Sequence, residues 1–246
     1  MDSFSINLEL NSQQSVRRKN MLYLLPNLLD ETLEHDPFLP HSVGEVVSSL
    51  DGMIAESERG ARRYMKRFTE KFREIPIRLL NEHSQEIDSL IGPLQKGEKW
   101  GLISDAGLPV LADPGARLIR RLHTLNIPIE TLPGPSSIVY ALQLSGLPAQ
   151  NFTFHGYPPK DEKALKEKLR TLPKDHTHLF IEAPYRTDKF LKNLVDGLQG
   201  ETDLSVSWNL TLPSQGVKTQ TISQWKKAVP SLGKVPAVFV IRGKKS

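Results

Sequence analysis

The 246 residues carry 32 Lys and Arg against 28 Asp and Glu, a formal charge of +4, and no cysteine. Such a length buries a sizeable core as one large domain or two small ones, while the missing cysteine excludes disulfide staples, thiolate metal sites and thiol nucleophiles and suits a reducing cytoplasm. No apolar run approaches the ~20 residues that span a bilayer, and the mild basic bias permits a polyanionic partner without establishing one.

Residues 1–20, "MDSFSINLELNSQQSVRRKN", are polar and read as a tail without the apolar core of a signal peptide. Beyond them, short apolar runs alternate with longer amphipathic stretches, the pattern of an α/β chain. Strands are expected near Met21–Leu25, Gly52–Ala55, Ile77–Leu80, Trp100–Ser104 and Pro128–Leu132. Helices are expected between them near His41–Ser49, Glu58–Arg73, His83–Gln95 and Pro114–Leu125. For the last of these, Asp113 reads as the N-cap and Pro114 as the first helical residue, with Leu118, Ile119, Leu122 and Leu125 on one face.

A second run follows "LPGPSS". It holds a helix Ser136–Leu144, a strand Phe152–Phe154, a charged helix Asp161–Leu172 and a strand Leu179–Glu182. A helix Thr187–Leu198 and strands Leu204–Trp208, Val217–Ile222 and Ala237–Arg242 complete it, with a short helix near Ser223–Ala228. Its closely spaced strands imply a mixed or largely antiparallel sheet. The chain therefore divides into an α/β domain over 21–133 and a second over 134–246, joined near Pro133–Pro135.

Three stretches carry the chemistry. In "ISDAGLP" a buried strand delivers small residues and Asp105 to the sheet edge where α/β ligands bind, a setting for a cationic or ribose-bearing ligand or simply a capped turn. In "TLPGPSSIVYAL" a rigid turn precedes a helix whose first amides are a polar cradle or an ordinary cap. In "LFIEAPYR" the strand-end Glu182 is a positioned carboxylate or an ion-pair partner of Arg186. The seven histidines show no HExxH or HxxxH spacing, so no metal is expected. The chain also has no GxGxxG, GxxxxGK[ST] or GxSxG motif, against a dinucleotide enzyme, an NTPase or a serine hydrolase.

Taken in order, "GLISDAGLPVLADPGARLIRRL", "IPIETLPGPSSIVYALQLSGLP", "FTFHGYPPK" and "LFIEAPYR" resemble the tetrapyrrole-methylase superfamily of S-adenosylmethionine-dependent methyltransferases, and within it the members that act on small-subunit ribosomal RNA. The resemblance covers roughly residues 21–243. It implies two α/β domains with S-adenosylmethionine in the cleft between them, a homodimer, and methylation of a ribose 2′-hydroxyl. It places Leu28, Ser104, Asp105, Ala106, Gly107 and Leu108 along the methionine and ribose end of the cofactor, and Ser136, Ser137 and Ile138 as a second contact segment. Phe180, Ile181, Trp208, Asn209, Leu210, Pro236 and Ala237 are implied to enclose the adenosine.

Glu182, His83 and Glu56 are the candidates for assisting the acceptor. The basic residues Arg59, Arg62, Arg63, Lys66 and Arg67, with the loop "YPPKDEKALKEK", are candidates for RNA phosphate contact. Where the family carries Arg-Glu-Leu-Thr-Lys-x-His-Glu, this chain reads "WNLTLPSQG", and where the first-strand turn carries Thr-Pro-x-Gly-Asn-Leu it reads "LLPNLLDE". A methyltransferase for a tetrapyrrole, another small molecule or a protein, and a cofactor-binding relative without catalysis, are the alternatives.

Overall fold

The computed structural model describes residues 20–81 and 87–243; His83, the start of the helix expected there, and all but the last residue of the expected N-terminal tail lie outside them. Strands β1 (Met21–Leu24), β2 (Gly52–Ala55), β3 (Ile77–Leu79), β4 (Lys99–Leu102) and β5 (Ile129–Thr131) form one sheet in the order β3-β2-β4-β1-β5. Every pairing in it is parallel. Such a sheet needs helices on both faces. Helices α1 (His41–Ser48) and α2 (Glu58–Lys66) bury Val43, Val47, Tyr64 and Met65 against Met53, Ala55 and Leu25 on one side. Helices α3 (Asp88–Gln95) and α4 (Ala116–Thr124) bury Leu90, Leu94, Leu118 and Leu122 against Leu22, Ile54 and Trp100 on the other. The period-two alternation of Met53, Ile54 and Ala55 feeds both cores. All five strands consequently end at one edge.

The second sheet joins β6 (Phe152–Phe154), β7 (Thr177–Glu182), β8 (Asp203–Trp208), β9 (Gly216–Thr221) and β10 (Ala237–Arg242) in the order β6-β7-β10-β8-β9. Only β6 and β7 pair in parallel; the other three pairings are antiparallel, as the short connections imply. Helices α6 (Glu162–Arg170), α7 (Thr187–Gly197) and α8 (Ile222–Trp225) cover the face of Phe180, Phe239 and Val206. Helix α5 (Ser137–Ser145) covers the face of Leu179, Val238 and Val240.

Two expected helices differ. The stretch expected as one helix to Arg73 stops at Lys66, and a separate 3₁₀ turn spans Glu70–Arg73, because the Thr69 side chain accepts the Lys71 N–H at 3.2 Å and starts a new cap. Helix α4 begins at Ala116 behind Gly115, whose φ of 146° is open to glycine. Asp113 is therefore not its N-cap, and its carboxyl is left to other uses.

The first-strand loop and the β4 loop are locked together by one side chain. Asn27, buried, donates from Nδ2 to the carbonyls of Ser104 at 2.9 Å and Asp105 at 3.1 Å, and its Oδ1 accepts the Leu28 N–H at 2.9 Å. Its backbone N–H donates to the Gly107 carbonyl at 2.8 Å, and the Gly107 N–H returns to the Leu28 carbonyl at 3.3 Å. Below the clamp, the buried Tyr64 hydroxyl donates to the Pro26 carbonyl at 3.0 Å.

Replacing Asn27 by Ala strands these groups in a buried setting and is expected to cost about 1–3 kcal/mol in urea unfolding. The Trp100 ring lies over Gly52, and a Cβ there would come within 2.3 Å of its carbons. Gly52→Ala should therefore destabilise by about 1–3 kcal/mol, whereas Gly92→Ala in α3, where a Cβ meets nothing within 4 Å, should stabilise by roughly 0.5–1 kcal/mol. Chemical denaturation of the two variants side by side checks the contrast.

Candidate functional site

A cavity of about 380 Å³ lies where the strand ends of the first sheet face the second sheet and α5. That volume is within the range of small-ligand sites. Its lining is of two kinds. Carboxylates come from Asp30 after β1, Glu56 after β2, Asp105 and Asp113 after β4, and Glu182 at the end of β7. Apolar side chains come from Ile138 of α5, Ile181 of β7, Val238 of β10 and Leu210 and Leu212 of the loop after β8. Among the described residues no Lys, Arg or His lines it.

The acids interact. The Asp105 N–H donates to Glu56 Oε1 at 3.2 Å, which brings the two strand-end loops together. Burial pushes the Asp113 carboxyl up to about 6, the charge of Glu56 adds to the rise, a Ser104 hydrogen bond opposes it, and Asp105 adds a further increment. Tyr157, from the loop after β6, has its phenol raised by burial first and then by the charges of Asp113, Glu182 and Glu56, so the two halves of the chain share one electrostatic environment. Glu182 is held differently. Its Oε1 accepts the Ala183 N–H at 2.8 Å, and its buried Oε2 lies 3.2 Å from Arg186 Nε without an aligned hydrogen bond. The ion-pair reading of this residue describes its geometry. Ser207, also buried, lines the cavity with its hydroxyl unpartnered among the described residues.

Backbone conformation shapes both ends of the cavity. In the β4–α4 loop, Gly107, Val110, Ala112 and Gly115 have φ of 70°, 75°, 71° and 146°. Across from it, Asn209 and Thr211 have φ of 50° and 74°. For a β-branched residue such as Val110 or Thr211 this left-handed region is strained, and it persists only where surrounding contacts over-determine it. At Gly107 a side chain would also meet Leu29 at 3.3 Å. Ser136 caps α5, its Oγ accepting the Val139 N–H at 3.5 Å, and the first-turn amides of Ser137 and Ile138 lack helical acceptors.

Of the residues expected to hold the cofactor, Asp105, Ala106, Gly107, Leu108, Ser136, Ser137, Ile138, Ile181, Leu210, Pro236 and Ala237 lie on this wall, as do the candidate carboxylates Glu56 and Glu182. Five others do not. Leu28 packs into the core beneath, and Ser104 is buried behind Asp105; both contribute through the backbone bonds of the Asn27 clamp. Phe180 faces the opposite side of its sheet from Ile181, under the His155 ring at 4.7 Å, because strand side chains alternate. Trp208 folds over Gly216 on that same side, and Asn209 turns its amide to Ser214 at 3.1 Å. Sequence reasoning missed Asp113, Tyr157 and Ser207. In the sequence Asp113 reads as a helix cap and Tyr157 as part of a phosphate-contact loop, and Ser207 carries no local motif.

The basic helix α2 is largely committed to the fold. Arg62 donates to the Ile75 carbonyl at 2.7 Å, Arg63 pairs with Glu31, and Arg67 donates to the Glu31 carbonyl at 3.1 Å. Only Arg59 and Lys66 of that group are exposed. In α6 Arg170 pairs with Glu167 at 2.8 Å and Glu162 with Lys189 of α7 at 3.2 Å, while Lys163 and Lys166, and Lys160 before the helix, are exposed. Among the described residues no helix is long and apolar enough to cross a membrane, and no group of His, Cys, Asp and Glu has metal-binding geometry.

Comparison with known proteins matches this arrangement to a family. The family model for tetrapyrrole (corrin/porphyrin) methylases matches residues 41–225. "Ribosomal RNA small subunit methyltransferase I" of Vibrio cholerae is 30% identical over 181 residues, 73% of this chain and 62% of that protein, so the match spans less than two thirds of the relative. The protein of the same name from Bacillus subtilis is 30% identical over 225 residues, 87% of this chain and 73% of that one. Among solved structures, the methyltransferase CobJ superposes with a TM-score of 0.58 at 15% identity, covering 92% of this chain and 95% of that one, a likeness of fold. The chain belongs to the tetrapyrrole (corrin/porphyrin) methylases, a family of S-adenosylmethionine-dependent methyltransferases.

Proposed function

We propose that this chain transfers the methyl group of S-adenosylmethionine to small-subunit ribosomal RNA, at a ribose 2′-hydroxyl. The observation that carries the reading is a cavity lined by both apolar side chains and clustered carboxylates, with no Lys, Arg or His among the described lining residues. An adenine ring suits the apolar side chains and a sulfonium with an α-ammonium suits the carboxylates, since apolar contact and opposite charge are what each offers. The RNA acceptor is supported by the names of the Vibrio and Bacillus relatives and by the net charge of +4. Within the same reading the enzyme works in the cytoplasm as a homodimer, supported by the absence of cysteine and by Val139 and Leu144, exposed apolar side chains on α5.

When bound, S-adenosylmethionine supplies a methyl carbon activated by its sulfonium leaving group. Ile138, Ile181, Leu210 and Val238 would hold the base, and Asp105, fixed through Asn27 and Glu56, would receive the ribose or amino-acid end. The chemistry supplied there would be attack of an acceptor oxygen on the methyl carbon, with the carbon–sulfur electron pair left on sulfur. The hydroxyl proton must leave. Asp113, raised to about 6, is suited to take it, because a carboxylate with an elevated pKa is the stronger base. Glu182, pinned by Arg186, is a positioning residue in this scheme.

The uncharged loop between β8 and β9 favours a second reading, an acceptor smaller than RNA. Transfer of labelled methyl to small-subunit RNA by the purified chain, against small-molecule and protein pools, decides between them. Asp105→Ala should weaken cofactor binding by about 1–3 kcal/mol in calorimetric titration; unchanged affinity would mean that the loop does not hold the ligand. The transfer rate should fall as pH drops through an apparent pKa of about 6 or below, because the protonated Asp113 no longer accepts a proton and a bound sulfonium moves the midpoint downward. In Asp113→Asn that limb should vanish together with most of the rate.

A further inference from the structure

The cavity that suits the methyl donor is hostile to a nucleic-acid backbone. Its wall presents five carboxylates and no cation, so only an acceptor nucleoside fits there and the flanking phosphates must be held elsewhere. The cations of α2 expected for that task are mostly consumed by Ile75, Phe72 and Glu31.

Helix α4 offers what α2 does not. Its Leu118 and Leu122 are buried in the core, which turns Arg117, Arg120, Arg121 and Thr124 to the outside. Those positions follow the i, i+3, i+4, i+7 spacing of one helix face. They line an open groove of about 680 Å³ whose other wall is Ile87, Asp88 and Ser89 at the start of α3. Arg121 is partly neutralised by Asp88 at 3.6 Å. Arg117 and Arg120 have no hydrogen bond or ion pair among the described residues. Both α3 and α4 start from the strand-end edge of the sheet at which the cavity opens, and Arg117 lies four residues beyond Asp113 of the cavity wall. The positions of these cations run along more than one turn of the helix, a spacing that suits a string of phosphates better than a single anion.

We infer that the α3–α4 groove is the docking surface for the RNA backbone, with Arg117 and Arg120 as its phosphate-binding cations. The inference rests on the RNA reading of the proposed function and adds where the chain carries the strand. Arginine suits the role because its planar fork meets phosphate oxygens in pairs and its charge persists at any working pH.

The test uses the full chain and small-subunit ribosomal RNA, with binding followed by fluorescence anisotropy between about 50 and 200 mM salt, the window over which phosphate contacts respond strongly. Arg117→Glu/Arg120→Glu should lower RNA affinity by roughly tenfold or more and flatten the slope of log affinity against log salt by about 2, one per cation lost. Cofactor affinity should stay at the wild-type value, which also reports that the variant is folded; Arg117→Gln/Arg120→Gln should show a smaller drop in the same direction. Arg59→Glu/Lys66→Glu on α2 is the charge-matched control and should leave most of the binding. Wild-type affinity and slope in the α4 variant, or an equal loss in the α2 control, would overturn the inference while methyl transfer to RNA still stands. A wild-type chain that binds cofactor but shows no salt-dependent RNA binding would remove the RNA acceptor as well.

Discussion

The site depends on one buried amide. Asn27 spends both of its Nδ2 protons on carbonyls of the β4 loop and its Oδ1 on its own chain. Two parallel strands adjacent in the sheet, β1 and β4, thereby deliver loops that move as a unit. Everything the β4 loop presents follows from this: the position of Asp105, the exposure of Ala106, and the left-handed turn at Gly107. Because the amide is buried, each of its bonds has no competing water, and loss of any one leaves a polar group unsatisfied.

A second constraint is charge segregation. Carboxylates from several strand ends converge on one cavity, with Arg186 countering only Glu182 among the described residues, at a desolvation cost visible in the raised Asp113. Such an arrangement is costly in the empty protein and becomes favourable once a cation enters, which is the usual logic of a preorganised site. The strained φ values at Val110, Ala112 and Thr211 belong to the same economy: loops on both sides of the cavity are held in conformations that the surrounding packing enforces. Positive charge stands instead on outer faces such as that of α4, which separates the acidic cavity from the basic groove.

The division of labour within strands explains which residues reach the cavity. Along β7, Phe180 joins the aromatic packing with Phe190 and His155 while Ile181 faces α5, and Glu182 ends the strand at the rim. Along β8, Val206 and Trp208 go to one core and Ser207 to the other side. A contact segment read as a continuous run is therefore only half in contact, with the other half building the floor that keeps it flat.

Local pattern alone settled much of this protein. Apolar periodicity located the strands and helices, the change in strand spacing separated a parallel sheet from a largely antiparallel one, and the small residues of "SDAGLP" pointed to the sheet edge where the cavity lies. Those features are set within a few residues by sterics, propensity and period, so the chain displays them without its fold. Tertiary structure decided the rest. That Asn27 is a clamp depends on a loop 77 residues away. That Asp113 faces a cavity instead of capping α4 depends on Gly115 supplying the turn and on Glu56 lying opposite. That α2 commits Arg62 and Arg63 to the fold while α4 leaves Arg117 and Arg120 unpaired among the described residues depends on which carbonyls and carboxylates happen to face each helix. Burial, desolvation and partner choice are properties of assembled surfaces, and no stretch of sequence carries them by itself.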